Sequence, residues 1–222
     1  MSDGTIRVEV AERVLATNDE TAAATRADLA ARRIFTVDLM GAPGAGKTAL
    51  LEATLRALAD RHRPAVLVGD LTTRRDGDRL ARWCDRVVQI STGQGCHLEA
   101  HQVRDALASL DLDGVDLLVI ENVGNLICPV GFDLGQSAKV GLFSITEGED
   151  KAAKHPYLVR EADLLLLNKV DLLPYLPFDR ESFEADVRRL NPAVPVLPVS
   201  ATTGEGLDAW VAWLERGIAA AG

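Results

Sequence analysis

The chain has 222 residues, with 24 lysines and arginines against 33 aspartates and glutamates, and a formal net charge of -9. At 47% hydrophobic it holds enough apolar material for a packed core, which excludes disorder as its main theme, and its acidity argues against nucleic acid or an anionic membrane as primary partner. Three cysteines (Cys84, Cys96, Cys128) and an N-terminus without a basic-then-apolar leader point to the reducing cytoplasm, and no apolar run approaches the ~18–20 residues of a membrane helix.

In chain order, Asn18-Asp19-Glu20 before Thr21-Ala22-Ala23-Ala24 predicts a helix running toward Arg33, an N-terminal helical extension over residues 1–33. One globular domain is expected over 34–222. Short apolar runs at Phe35–Met40, Ala65–Gly69, Val87–Ile90, Asp116–Glu121, Val140–Ile145, Asp163–Asn168 and Val194–Val199 read as strands. Between them Thr48–Ala59, Asp78–Cys84, Leu98–Leu110, Tyr157–Ala162, Asp179–Leu190 and Gly206–Ile218 read as helices. Such alternation predicts an α/β fold: a mostly parallel sheet of about seven strands with helices on both faces. The longest irregular stretches, Asn122–Lys139 and Val170–Phe178, are candidates for function because compact domains keep structureless connections short.

Gly41-Ala42-Pro43-Gly44-Ala45-Gly46-Lys47-Thr48 fits the phosphate loop G-x-x-x-x-G-K-S/T, and it stands between a predicted strand and a predicted helix, as the mechanism requires. Glycines let backbone N–H groups turn inward around phosphate oxygens, and the helix N-terminus adds partial positive charge. The phosphate-binding set is therefore Gly41, Gly44, Ala45, Gly46, Lys47, Thr48 and Ala49, with Lys47 on the β/γ-phosphates and the Thr48 hydroxyl on Mg²⁺. Asn168-Lys169-Val170-Asp171 follows a run of leucines, where such a sheet presents a base-reading loop. The Asp171 carboxylate can accept from guanine N1–H and the 2-amino group together, which adenine lacks, so the motif argues for GTP and GDP as ligands. Asn168 braces the loop, the Lys169 stem packs along the ring, and Ser200-Ala201 completes the pocket.

Glu121-Asn122-Val123-Gly124 ends a predicted strand like the D-x-x-G switch of GTPases, with Glu for Asp: Glu121 can serve Mg²⁺ and the Gly124 N–H can sense the γ-phosphate. Asp70 and Asp78 are alternative groups for orienting the attacking water, and Asp70 is also a candidate for Mg²⁺. Cys96-His97, expected at a helix N-terminus that lowers the Cys96 pKa, and Cys128 in the loop past Gly124 offer thiolate and imidazole ligands suited to Ni²⁺ or Zn²⁺. Ordinary buried thiols beside a capping histidine would have the same sequence. Two or three ligands fall short of a closed tetrahedral site, which suggests one shared between subunits or left open. His101, one turn on, is a further candidate; Cys84, beside Trp83 and Val87, reads as core.

Together Gly41–Thr48, Gly69-Asp70, Thr92–Leu98 (T-G-Q-G-C-H-L), Glu121–Pro129 (E-N-V-G-N-L-I-C-P), Thr146–Lys151 and Asn168–Tyr175 (N-K-V-D-L-L-P-Y) resemble the HypB family of GTPases that deliver nickel to nickel–iron hydrogenase. The resemblance implies a SIMIBI-class P-loop fold and slow GTP hydrolysis. It also implies GTP-dependent homodimerisation with a Ni²⁺/Zn²⁺ site of Cys96, His97 and Cys128 at the interface. Lys47, Thr48, Asp70 and Glu121 would serve phosphates and Mg²⁺. The implied partners are a hydrogenase-maturation accessory protein and the hydrogenase large subunit. Some family members carry a cysteine motif or histidine-rich stretch near the N-terminus, and neither occurs here, which puts nickel storage in doubt. Three other readings remain open: a urease-type nickel GTPase, which typically presents Cys-Pro-His rather than adjacent Cys96-His97; a small-molecule P-loop kinase; and a GTP-binding regulator with structural cysteines.

Overall fold

The computed structural model describes residues 10–70, 75–93 and 95–222, with side chains from residue 15 onward. Seven strands form one sheet: β1 Phe35–Gly41, β2 Pro64–Asp70, β3 Val87–Ser91, β4 Leu117–Glu121, β5 Ala138–Ser144, β6 Leu164–Asn168 and β7 Val196–Pro198. Their order is β3-β2-β4-β1-β5-β6-β7, and every pairing is parallel. All residues of β1, β4 and β6 are buried, which is why these strands read as continuous apolar runs rather than alternating ones. The expected α/β sheet is thus present, with each predicted strand matched.

Eight α-helices accompany it among the described residues: α1 Val10–Ala31, α2 Lys47–Leu58, α3 Arg75–Leu80, α4 Ala100–Leu107, α5 Lys151–Lys154, α6 Pro156–Glu161, α7 Arg180–Leu190 and α8 Leu207–Ala221. One face of the sheet packs Val37, Leu39, Val66, Val119, Leu142 and Leu166 against Leu51 and Leu55 of α2 and Trp210 and Leu214 of α8. The opposite face carries two groups. Leu67, Leu118 and Ile120 meet Val103 and Leu107 of α4 and Leu29 of α1, while Phe143, Leu165 and Leu167 meet Leu158 of α6 and Phe183 of α7. Each such leucine removed from water contributes roughly 1.5–3 kcal/mol. Trp210 is fully buried and its indole N–H donates to Thr54 Oγ1 at 2.9 Å, so the largest core side chain carries no unpaired polar atom.

Several boundaries differ from the sequence reading. The helix expected over Asp78–Cys84 lies earlier, at Arg75–Leu80, and the one expected from Leu98 begins at Ala100, where Glu99 and Gln102 form a reciprocal cap. Of the extension expected over residues 1–33, residues 1–9 lie outside the described set. The rest forms α1, which continues to Ala31 and docks on the domain. Asn18 is its polar anchor: its Nδ2 donates to the Asp133 carbonyl at 2.8 Å and its Oδ1 accepts from the Ala100 N–H at 2.8 Å. Arg26 adds an ion pair to Asp133. Asn18→Ala leaves both backbone groups without their side-chain partner, a loss of about 2–3 kcal/mol. The expected outcome is faster amide exchange across residues 15–31 with protection of β1 and β4 unchanged; equal exchange in parent and variant would contradict this anchoring role.

Candidate functional site

Because the strands are parallel, the loops after β1, β2, β4 and β6 emerge at one end of the sheet. There the chain turns from Gly41 through Gly44 (φ +78°) and Gly46 (φ +102°) into α2. A Cβ on Gly46 would stand 2.4 Å from Asn168 Nδ2, so this glycine meets both a left-handed backbone and a close approach. The loop borders an open cleft of about 390 Å³ whose lining includes Gly44, Gly46, Lys47, Thr48, Ala49, Asp70, Glu121 and Gly124. Gly41 and Ala45 stand behind it: the Gly41 carbonyl accepts from Lys47 Nζ at 3.1 Å and the Ala45 carbonyl from Asn168 Nδ2 at 2.9 Å. Burial holds the Lys47 ammonium below its ordinary pKa, with Glu121 acting in the opposite direction.

Glu121 closes the floor. Its Oε1 accepts from Thr48 Oγ1 at 2.7 Å, whereas Oε2 is buried without a hydrogen-bond partner among the described residues. Burial pushes its pKa up to about 7 against the lowering influence of Lys47 and Thr48. A hydroxyl beside a buried carboxylate oxygen that lacks a partner, with Asp70 on the same wall, is an oxygen donor set that fits Mg²⁺. Asp78 is a correction to the sequence reading. It is exposed on α3 and faces a separate groove with Gln89 and Ser91, because one helical position separates it from the side that meets the cleft. Asp76 and Arg79 of α3 line the cleft instead, Arg79 pairing with Glu52 at 2.6 Å and Asp76 at 3.4 Å. No motif signalled Arg79; only the i, i+3 spacing from Asp76 puts both on one helix face.

The residues expected to read the base come from loops that meet beside the cleft. Asn168 Oδ1 accepts from the Ala201 N–H at 3.2 Å, and Lys169, with φ +65°, donates from Nζ to the Gly44 carbonyl at 2.7 Å. Asp171 sits partly exposed in a short 3-10 turn, Val170–Tyr175, and Ser200 Oγ accepts from the Thr203 N–H at 3.1 Å to shape the loop after β7.

The Cys96, His97 and Cys128 ligand atoms all lie within 4.8 Å of one another, and among the described residues no other three His, Cys, Asp or Glu groups come that close. Cys96 Sγ stands 3.6 Å from His97 Nδ1. The His97 ring stacks on Phe132 with centroids 3.9 Å apart, and its Nε2 is buried without a hydrogen-bond partner among the described residues. Burial lowers the His97 pKa, opposed by Glu99, and so favours the neutral imidazole. The expected helix-lowered Cys96 pKa is overturned: α4 begins four residues later, and the neighbouring Cys128 thiol pushes Cys96 upward. His101 turns to Glu99 at 3.3 Å, outside the cluster, and Cys84 is buried with its thiol on the Pro64 carbonyl, as a core residue.

The matching family is the CobW/HypB/UreG nucleotide-binding domain, over residues 35–198. The hydrogenase maturation factor HypB of Azotobacter vinelandii is 50% identical over 212 residues, covering 95% of this chain and 69% of that protein. The chain belongs to the HypB family. The crystal structure of Archaeoglobus fulgidus HypB is similar with a TM-score of 0.86 at 38% identity, covering 92% of this chain and 100% of that one. Helicobacter pylori HypB, crystallised in complex with nickel, has a TM-score of 0.87 at 33% identity over 91% of this chain and 95% of its own. The HypB fold is therefore that of a P-loop nucleotide-binding protein, and no helix among the described residues is long and apolar enough to cross a membrane.

Beneath the HypB-family cleft a second polar chain runs through the core. Asn122, buried, donates from Nδ2 to Asp38 Oδ1 at 3.0 Å, while its Oδ1 accepts from the N–H groups of Val123 at 2.9 Å and Leu98 at 3.3 Å. Asp38 is fully buried, its Oδ2 has no partner, and desolvation raises its pKa to about 7, opposed by the Asn122 bond. A carboxyl that holds its proton more tightly when folded stabilises the fold below its ordinary 3.8 and loses that contribution as pH rises toward about 7. Asp38→Asn keeps an acceptor for Asn122 and removes the titration. Relative to the parent, the variant should gain stability between pH 4.5 and pH 8, by up to about 4 kcal/mol in urea unfolding. Parallel pH dependences would show that Asp38 is not perturbed.

Proposed function

We propose that this chain is a GTP-hydrolysing metallochaperone that inserts nickel into nickel–iron hydrogenase during maturation. The single observation that carries the reading is the Cys96-His97-Cys128 cluster, whose Cys128 lies on the same connection as Glu121, Val123 and Gly124 of the phosphate cleft. Family membership supports a maturation role, and the nickel complex of the H. pylori relative supports nickel as the cargo.

In this reading Lys47 holds the β/γ-phosphates, Asn168, Lys169 and Asp171 hold guanine, and Ser200-Ala201 backs the base. Thr48, Glu121 and Asp70 would hold Mg²⁺, which when bound neutralises charge developing on the phosphate oxygens. Asp70, on the cleft wall, orients the water that attacks the γ-phosphorus; the bond to the β,γ-bridging oxygen breaks, and GDP and phosphate leave. Gly124 rests against Pro43 of the phosphate loop, so a γ-phosphate that displaces the loop moves the segment leading to Cys128. Each copy offers two thiols and one imidazole, which favours a homodimer in the GTP state that shares the nickel, followed by transfer to an accessory protein and the hydrogenase large subunit.

The deciding measurement is equilibrium nickel binding with GDP and with a non-hydrolysable GTP analogue. The analogue should tighten nickel binding in the parent, and Cys96→Ser should abolish it; binding that ignores the nucleotide would end the coupled reading. Separately, Asp171→Ala should cut the GTP-over-ATP ratio of kcat/KM by at least about 10²-fold. An unchanged ratio would assign base choice to other groups.

A further inference from the structure

The loop bearing Cys96 and His97 and the loop bearing Cys128 come from different strands. Between the two lies Asn122. Its Oδ1 accepts from the N–H of Leu98, the residue after His97, and from that of Val123 in its own loop. Two backbone donors on one oxygen fix which end of the amide is which, so Nδ2 is directed at Asp38 of β1. Asn125 repeats the link at the surface, donating to the Cys96 carbonyl at 3.3 Å. On its other side the same segment bridges Gly41 and rests on Pro43. Leu98 is fully buried and packs so tightly on Gly69, a residue of the phosphate cleft, that a Cβ there would stand 2.9 Å from it.

We infer that Asn122 is the positioning residue through which the phosphate cleft sets the geometry of the Cys96-His97-Cys128 cluster, with Asp38 holding its amide in register. Neither residue touches nucleotide or metal ligand atoms in this account. A buried N–H that loses its acceptor is costly, so a displacement of Val123 and Gly124 carries the Leu98 N–H, and with it His97, in the same motion. Glu121, the residue before Asn122 in the chain, is bonded to Thr48 on the cleft floor, so one hydrogen bond and one peptide unit separate Thr48 from Asn122. The inference rests on the nucleotide-coupled metal site proposed above and names the side chain that does the coupling.

The test reads the ratio of nickel affinities with the non-hydrolysable GTP analogue and with GDP. In the parent this ratio should lie at about 5–150-fold, the usual range of site-to-site coupling. Asn122→Asp keeps the acceptor for Leu98 and Val123 but exchanges the neutral amide donor for a second buried carboxyl against Asp38, so that the pair either repels or shares a single proton, and should bring the ratio to within about twofold of unity. The double variant Asp38→Asn/Asn122→Asp reverses donor and acceptor across the same contact and should restore most of the parent ratio. A merely structural Asn122 would lower the urea midpoint and leave the ratio unchanged, which overturns the inference. A parent ratio of one overturns the metal-switch reading itself, and this inference with it; a coupled parent beside an equally coupled Asn122→Asp overturns this inference alone. Should Asn122→Asp fail to fold, amide exchange at Leu98 in the unmodified protein decides: protection that differs between the two nucleotide states supports the link, and identical protection refutes it.

Discussion

Parallel pairing of β1 with β4, which sets Leu39 opposite Glu121, is the constraint on which the rest of the site depends. It brings the strand that ends in the phosphate loop and the strand that ends in Glu121 to the same edge, so that Thr48 at the start of α2 can reach the carboxylate at 2.7 Å. β5 and β6 extend the same order on the other side, so Asn168 arrives beside Gly46 and Ala45. A one-residue slip in any of these registers would turn alternate side chains to the wrong face of a sheet buried on both sides. Packing energy thus holds the chemistry in place.

That placement carries an electrostatic cost. Glu121 and Asp38 are both buried, both have one oxygen without a partner, and both are raised to about 7 by desolvation. Buried carboxyls of this kind are retained where a ligand or a neighbouring segment gives them work. For Glu121 the adjoining groups are Thr48 and Lys47 at the cleft; for Asp38 the neighbour is the amide of Asn122. Lys47 answers in the opposite sense, its ammonium disfavoured by burial and its protons donated to the carbonyls of Gly41 and Ala42. A phosphate group arriving in the cleft would offer this ammonium a stronger acceptor than either carbonyl.

The sulfur and imidazole cluster is built differently. It stands on two loops rather than on strands, with Cys96 exposed, Cys128 partly covered, and His97 stacked on Phe132. The cluster is thus exposed on its Cys96 side, in contrast with closed structural metal sites. Its neighbours explain why it adjoins the cleft: Gly124 lines the cleft and Cys128 follows four residues later in the same connection.

The sheet, the phosphate loop and the candidate ligands were legible in the sequence, because buried parallel strands leave unbroken apolar runs and a phosphate loop demands glycines, lysine and hydroxyl at fixed spacing. Helix starts were less legible: Glu99 and Gln102 cap α4 two residues after its expected start, since a cap depends on side chains reaching back across a turn. Asp76 and Asp78 are indistinguishable as loop acids, and only the orientation of α3 decided that Asp76 and Arg79 face the cleft. The Cys96 thiol moved opposite to the expected direction because its pKa is set by Cys128, thirty-two positions away in the chain and adjacent in space. By itself the sequence determined which residue types were available and in what order the strands carried them. Tertiary structure alone decided the contacts among loops, including the Asn122 bonds to Asp38 and Leu98, because those distances follow from how parallel strands are ordered in the sheet rather than from any spacing along the chain.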